Sequence, residues 1–339
     1  IGRLKAKLAR LKDELQRQAM AKSAAKREGY AVKKSGDATI VMVGFPSVGK
    51  STLLNCLTGT SAAVAEYDFT TLEVIPGTLL YKGARMQFLD VPGLIQGAAA
   101  GRGHGKEVLS VMRNADLVLI LVDVLQPQQY DTLVKELHDA GIRINTKPPD
   151  VALRKTPKGG ITVSSTVDLE LDGKLIRAVL AEYKIHNAEL LIREQITLDE
   201  LIDVVMGNRK YIRAVTVINK IDLVDLERLA ACTERFPDAV PISASLSINI
   251  EALKERIYNE LAFMRIYMKP RGAAPDMDNP LVIKRGAMVA DVCSTIHHDF
   301  VEKFRYARVW GRSAKYGGQR VGLSHVLADG DVVSIVMRK

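Results

Sequence analysis

Leu4, Leu8, Leu11 and Leu15 recur at spacings of four, three and four, which is one stripe of an α-helix. The pattern predicts a helix over 3–28 that stops at Gly29, with Lys5, Lys7, Arg10, Lys12 and Arg17 on its polar faces. The stripe is short for a coiled coil and suits a partner helix or the body of the protein. From Asp37 the period changes. Residues 39–43 (TIVMV) form an apolar, β-branched run, followed by a glycine-containing loop and a helical pattern over 51–57. Similar runs recur at 86–89, 117–122 and 215–218, with helical segments between several of them. Alternating strands and helices predict parallel βαβ units in a doubly wound sheet, so the fold class is α/β.

One interval is too long for that plan. Asp90 and Asn219 both close apolar runs, yet 129 residues separate them. Two βαβ steps need about 60 residues, which leaves an inserted α/β element of roughly 60–70. It is placed near 143–211, with a strand at 161–163 and helices at 174–183 and 198–206. After Arg265 a Pro/Gly-containing linker over 269–280 precedes a small α+β module, with strands at 281–284, 306–310 and 332–337 and a helix at 289–297. The expected regions are therefore a basic helical segment 1–36, a nucleotide domain 37–265 and a C-terminal module 266–339.

Composition adds a location and a partner class. Cys56, Cys232 and Cys293 are odd in number and far apart, which suggests neither disulfides nor a zinc site and fits a cytoplasmic protein. His297 and His298 are adjacent, and sequence neighbours do not share a helix face. No stretch approaches the ~20 apolar residues of a membrane span, and the basic N-terminus has no apolar signal core. The chain opens on Ile1 rather than Met, so further upstream residues are expected. The net charge of +9 sits at the ends: +8 over 1–34, +5 over 266–339 and −4 between. Basic ends suit a polyanion, most often nucleic acid, and the plainer reading is solvated Lys/Arg on exposed faces.

Four motifs carry the chemistry. Gly44-Phe45-Pro46-Ser47-Val48-Gly49-Lys50-Ser51, continued by Thr52, matches G-x-x-x-x-G-K-[ST] between a strand and a helix. Its backbone N–H groups and the helix N-terminus suit a triphosphate, with Lys50 on the β- and γ-phosphates and Ser51 on Mg²⁺. Asp90-Val91-Pro92-Gly93 follows a second strand, with Asp90 near Mg²⁺ and the Gly93 N–H sensing the γ-phosphate. An ordinary Pro-Gly turn is the bland alternative. Asn219-Lys220-Ile221-Asp222 follows a third strand. The Asp222 carboxylate can accept both N1–H and the N2 amine of guanine, a donor pair that adenine lacks. Lys220 would lie along the base, Asn219 would tie its loop to the P-loop, and Ser243-Ala244 amides would meet guanine O6. Last, Thr70-Thr71 lies between the first two motifs, and Thr71 is favoured as a ligand of Mg²⁺ when the γ-phosphate is present. A β-prone threonine pair in a strand is its alternative.

With these residues in order, the sequence resembles the Obg-related GTPases, most closely the DRG (developmentally regulated GTP-binding) family. The similarity runs through "GDATIVMVGFPSVGKSTLLN", "YDFTTLEVIPG", "LDVPGLIQGAAAGRGHGKEVL", "IRINTKPPDV", "EYKIHNAE", "AVTVINKIDLV" and "RIYMKPRG". The end, "YARVWGRSAKYGGQRVGLSHVLADGDVVSIV", is similar to the ubiquitin-like (β-grasp) TGS module. The resemblance implies a basic helical N-terminus, a P-loop GTPase domain with its insertion, and a TGS domain. It implies a GTP/GDP switch associated with ribosomes or RNA in translation, as a monomer or in a heteromer. Eukaryotic members work with a zinc-finger helper protein, and such a helper is left open here.

The hydrolytic water has no obvious holder. Leu94 stands where many GTPases place Gln, Gln96 lies two positions later, and Arg102 and His104 sit in the glycine-rich 101–105 segment. Slow intrinsic turnover raised by an activator is the expectation. Potassium-using relatives carry Asn where this chain has Ser47, which argues against potassium dependence. Two rivals are an ATPase, opposed by Asp222, and a pure RNA-binding scaffold, opposed by the intact Lys50, Ser51 and Asp90.

Overall fold

The seven-residue strand Leu117–Asp123 is buried at every position, because it has a parallel neighbour on each side. A strand covered on both faces has no polar side to show, and its sequence LVLILVD reads as one apolar run. It belongs to a computed structural model that describes residues 36–59, 75–90, 111–270 and 272–338. The helix expected over 3–28 lies outside the described residues, as do Thr70, Thr71 and the segment 91–110.

In chain order, β1 (Ala38–Val43) runs into the P-loop and α1 (Lys50–Thr58). Strands β2 (Ile75–Tyr81) and β3 (Ala84–Asp90) form a hairpin, followed by β4 (Leu117–Asp123) and α2 (Gln129–Asp139). Next come β5 (Ile142–Ile144), β6 (Val151–Lys155), β7 (Ile161–Ser165), α3 (Gly173–Glu182), β8 (Ala188–Ile192) and α4 (Leu198–Met206). The chain returns through β9 (Lys210–Asn219), α5 (Leu226–Arg235), β10 (Val240–Pro241) and α6 (Ile250–Glu260). The last elements are β11 (Phe263–Met268), β12 (Leu281–Lys284), α7 (Val289–Ile296), α8 (Asp299–Glu302), β13 (Phe304–Trp310), β14 (Gln319–Val321) and β15 (Val332–Met337).

The central sheet has the order β10-β9-β4-β1-β3-β2, parallel except for β2. Its core is Ile40, Met42, Leu53, Leu54, Phe88, Leu119 and their neighbours, all buried. Each such side chain contributes about 1.5–3 kcal/mol of burial. The registers Met42↔Asp90 and Asp123↔Asn219 place the motif-bearing strand ends along one edge of the sheet. That edge is where an open α/β sheet binds its ligand.

Residues Gly141–Tyr211 form a compact unit of their own. Its sheet has the order β6-β8-β7 and packs on α3 and α4 through Ile176, Leu180, Leu190, Ile192 and Leu201. Helix α4 spans the expected 198–206 and opens with a capping box between Thr197 and Glu200. Strands β6 and β8 escaped the sequence reading, since β6 is half exposed and β8 breaks its apolar run with Glu189. Within this unit the buried Asp203 carboxylate accepts from Arg143 Nε (2.6 Å) and Nη2 (2.7 Å) and from Arg209 Nε (2.9 Å). Burial, then the nearby Asp203 charge, pushes the Tyr211 hydroxyl up to about 12.

The third sheet has the order β12-β11-β15-β13-β14. The expected region boundary between 265 and 266 falls inside β11. In that strand Phe263 enters the central core, Met264 and Ile266 enter the core of the C-terminal module, and Arg265 pairs with Asp329. One expectation is corrected here. His297 and His298 come together, ring centroids 4.2 Å apart. His297 has left the helix for an extended conformation, so helix-face spacing does not apply to the pair. Among the described residues no helix is long and apolar enough to cross a membrane.

Asp203→Asn leaves two buried guanidinium groups short of their carboxylate. Removing one partner of a buried ion pair costs about 3–5 kcal/mol. Urea titration followed by limited proteolysis should show cleavage within 141–211 at distinctly lower urea than in the parent.

Candidate functional site

Between β1 and α1 the chain makes a tight loop whose glycines are sterically required. A Cβ on Gly44 would stand 2.9 Å from the Leu121 carbonyl oxygen. Gly49 has φ 95°, and a Cβ there would meet Asn219 Nδ2 at 2.4 Å. Val48 is buried as the loop's anchor, while Pro46, Ser47, Ser51 and Thr52 are exposed. Lys50 folds back over this loop, its Nζ donating to the carbonyls of Gly44 (3.0 Å) and Phe45 (3.2 Å). Burial lowers the Lys50 pKa, and the Asp90 charge partly opposes that shift. A partly desolvated ammonium whose hydrogen bonds among the described residues go to carbonyls suits an anion.

At the end of β3, Ser51 Oγ donates to Asp90 Oδ2 at 2.9 Å. Asp90 Oδ1 is buried and has no hydrogen-bond partner among the described residues. A hydroxyl beside an unsatisfied buried carboxylate oxygen is a pair of hard oxygen donors, so the residues fit a Mg²⁺ ion.

Asn219, at the end of β9, reaches in two directions. Its Nδ2 donates to the Val48 carbonyl at 2.9 Å, and its Oδ1 accepts from the Ala244 N–H at 3.0 Å. It thereby joins the P-loop to the Ser243-Ala244 turn, both of which are buried at the contact. Lys220 takes a left-handed φ of 67°, and its Nζ pairs with Asp123 Oδ2 at 2.7 Å. Asp222 lies in the short 3-10 turn Ile221–Leu223, exposed, and no hydrogen bond or ion pair engages it among the described residues. Ile221 N–H donates to Ile242 O at 3.2 Å, which holds this turn beside the Ser243 loop.

The structure thus brings Gly44, Pro46, Ser47, Val48, Gly49, Lys50, Ser51 and Thr52 together with Asp90, Asn219, Lys220, Asp222, Ser243 and Ala244. Thr71 and Gly93 lie outside the described residues, as do Leu94, Gln96, Arg102 and His104. The sequence reading missed Asp123, which directly follows the apolar run 117–122. Its position at the C-terminal end of a central strand was the available signal. It orients Lys220 and also accepts from the Leu125 N–H at 2.9 Å.

Residues 39–155 match the model of the 50S ribosome-binding GTPase family, 158–263 that of the C-terminal region of the same domain, and 264–337 that of the TGS domain. A GTP-binding protein of Methanocaldococcus jannaschii is 53% identical over all of this chain and 87% of its own length. The developmentally-regulated GTP-binding protein 1 homolog of Dictyostelium discoideum is 46% identical over the whole chain and 93% of its own length. Developmentally-regulated GTP-binding protein 1 of Xenopus laevis is likewise 46% identical, over the whole chain and 93% of its own length.

The chain belongs to the DRG family of GTP-binding proteins. As a DRG protein it is a P-loop GTPase-family member with a C-terminal TGS domain, in agreement with the fold expected from its sequence. The DRG framework also gives the strand-end geometry its context: Asp90 lies within the residues that match the GTPase-family model, and Asn219 and Ala244 within those that match its C-terminal region. Among solved structures, the YchF GTPase of Schizosaccharomyces pombe overlaps 91% of this chain and 100% of its own at 14% identity, with a TM-score of 0.47.

The lowered Lys50 pKa has a sign that can be checked. Its charged form is disfavoured in the fold, so Lys50 costs stability below its folded pKa, and the cost fades as pH rises through that value. Lys50→Met should therefore leave the melting temperature of the nucleotide-free protein unchanged or raised. The same variant should lose the upward shift that added GTP gives the parent, both read by scanning calorimetry.

Proposed function

We propose that this chain binds GTP with Mg²⁺, hydrolyses it slowly, and uses the two nucleotide states to control docking on ribosomal RNA. The observation that carries the nucleotide reading is the Asn219 bridge. It sets the phosphate loop and the base-side loop in one frame, with Lys220 and Asp222 beside it.

In this reading the 44–49 loop amides and the α1 N-terminus hold the phosphates. Lys50 exchanges its two carbonyl acceptors for the β- and γ-phosphates. Ser51 and Asp90, with Thr71 as the nucleotide-dependent ligand, hold Mg²⁺, which neutralises charge on the transferring phosphoryl group. Gly93 senses the γ-phosphate through its N–H. Asp222 accepts from guanine N1–H and N2, and Lys220 is held along the base by Asp123, whereas the Ala244 and Ser243 N–H groups expected to meet O6 donate instead to Asn219 Oδ1 and the Ile248 carbonyl. Leu94 cannot orient water, which supports slow turnover until an activator supplies that function. Ser47 in the P-loop argues against potassium as that activator. A helper protein or the ribosome itself fits better, and the basic ends support the RNA contact.

Calorimetric titration of GTP, GDP and ATP with Mg²⁺ tests the base reading. The parent should select guanine nucleotides, and Asp222→Asn should weaken GTP at least about tenfold, since hydrogen bonds to a charged group are worth about 1.5–3 kcal/mol. Equal ATP binding, or no effect of the substitution, would favour the ATPase reading.

Ribosome co-sedimentation tests the switch. Binding should be stronger with a non-hydrolysable GTP analogue than with GDP and should fall steeply with salt. Equal binding in the two nucleotide states would remove the switching part of the proposal.

A further inference from the structure

The hairpin formed by β13, its loop and β14 spans 304–321. It contains five cations (Arg305, Arg308, Arg312, Lys315 and Arg320), four aromatic residues (Phe304, Tyr306, Trp310 and Tyr316) and no carboxylate. All five cations are exposed, and none has an ion-pair partner among the described residues. Glu302 precedes the hairpin by two residues, and the two acids that follow it along the chain are engaged elsewhere. Asp331 is buried and accepts from the Ser313 and Ala328 N–H groups, while Asp329 pairs with Arg265 at 2.9 Å.

The placement of two of these cations is unfavourable for the protein alone. Arg308 and Arg320 are direct cross-strand partners. Like charges directly opposite on adjacent strands destabilise a sheet. Residues 306, 308 and 310 alternate with the buried Ala307 and Val309, so Tyr306, Arg308 and Trp310 share the outer face. On that face Arg320 lies over the Tyr306 ring at 4.8 Å, and Lys269 over the Trp310 ring at 5.9 Å. The loop is held rather than loose. Gly318 N–H donates to Val309 O at 3.0 Å, Ser313 Oγ bonds His325 Nε2 at 3.0 Å, and Gly318 lies against Trp310. Tyr316, in the same loop, is 67% exposed, an amphipathic ring left uncovered among the described residues.

We propose that this hairpin face is a docking site for single-stranded RNA, with Arg308 and Arg320 taking adjacent phosphates and Tyr316 stacking on a base. Paired, unneutralised arginines answer the charge of a phosphodiester backbone. Interleaved aromatics answer unstacked bases, which a duplex does not offer. An acidic peptide would satisfy the arginines and leave the aromatics without a role. The inference deepens the RNA part of the proposed function and rests on it, and it is independent of the nucleotide site.

The test uses the full chain and a fluorescein-labelled, mixed-sequence RNA twelve-mer, read by anisotropy at several salt concentrations. The variants are Arg308→Gln/Arg320→Gln and Tyr316→Ala. The double variant should lose at least tenfold in affinity, and its salt slope should fall by about 1.4, the value for two phosphate contacts on a single strand. Its melting temperature should stay level or rise, because a like-charge pair has been removed, and its GTP affinity should not change. Tyr316→Ala should lose on the order of tenfold with an unchanged salt slope, since stacking is uncharged. If the parent binds RNA and both variants bind equally well, this face is not the site and the RNA-associated reading survives. If the parent binds no RNA at all, that reading fails together with the site. Preference for a twelve-base-pair duplex, or displacement of the RNA by a poly-glutamate peptide at equal charge, would overturn the single-strand assignment.

Discussion

The Asn219 carboxamide is the contact on which the nucleotide site depends. It donates to the Val48 carbonyl and accepts from the Ala244 N–H, both on buried loop residues. A carboxamide carries its donor and its acceptor on separate atoms that point in different directions. A carboxylate would repel the Val48 carbonyl, and an apolar residue would strand two buried polar groups. The sheet makes this reach possible. With β4 between β9 and β1, the C-terminal ends of the strands lie along one edge, and a side chain from one loop can serve its neighbours.

Charge is used in two opposite ways across the molecule. In the nucleotide region and the 141–211 unit, charged groups are partly or fully buried and matched: Lys220 with Asp123, and Arg143 and Arg209 with Asp203. Such groups fix conformation, because leaving either partner alone would be costly. On the C-terminal hairpin the cations are exposed and have no ion-pair partner among the described residues, so they add little to conformational order and remain available to an outside anion. Lys50 and Asp90 fall between these cases. Each is folded into a satisfactory but incomplete arrangement that leaves capacity for a ligand, an unused carboxylate oxygen in one and a depressed ammonium pKa in the other.

Strand β11 links the architecture of the GTPase region and the TGS module. Its residues alternate between two cores, Phe263 with Tyr258 and Leu261 on one side, Met264 and Ile266 with Val309 and Val333 on the other. Below it, Tyr81 OH donates to Glu255 at 2.9 Å, and Lys82 pairs with the same carboxylate. A strand shared in this way belongs to both regions, which is why the boundary expected between 265 and 266 falls inside it.

The sequence by itself determined the parts that local physics specifies. These are the apolar runs of β1, β3 and β4, the capped helix α4, the glycines of the P-loop and the order of the four motifs. The DRG family likeness was legible too, because those motifs are contiguous strings. Only tertiary structure decided the rest. Asn219 meets Val48 across 171 positions, and Lys220 meets Asp123 across 97. Asp123 gained its role from the register that sets it opposite Asn219, and the Arg308 and Arg320 pair arose from a hairpin register. No periodicity along the chain encodes such pairs. Periodicity reports which face of an element is buried, whereas partners across a sheet are chosen by the order and register in which whole strands assemble.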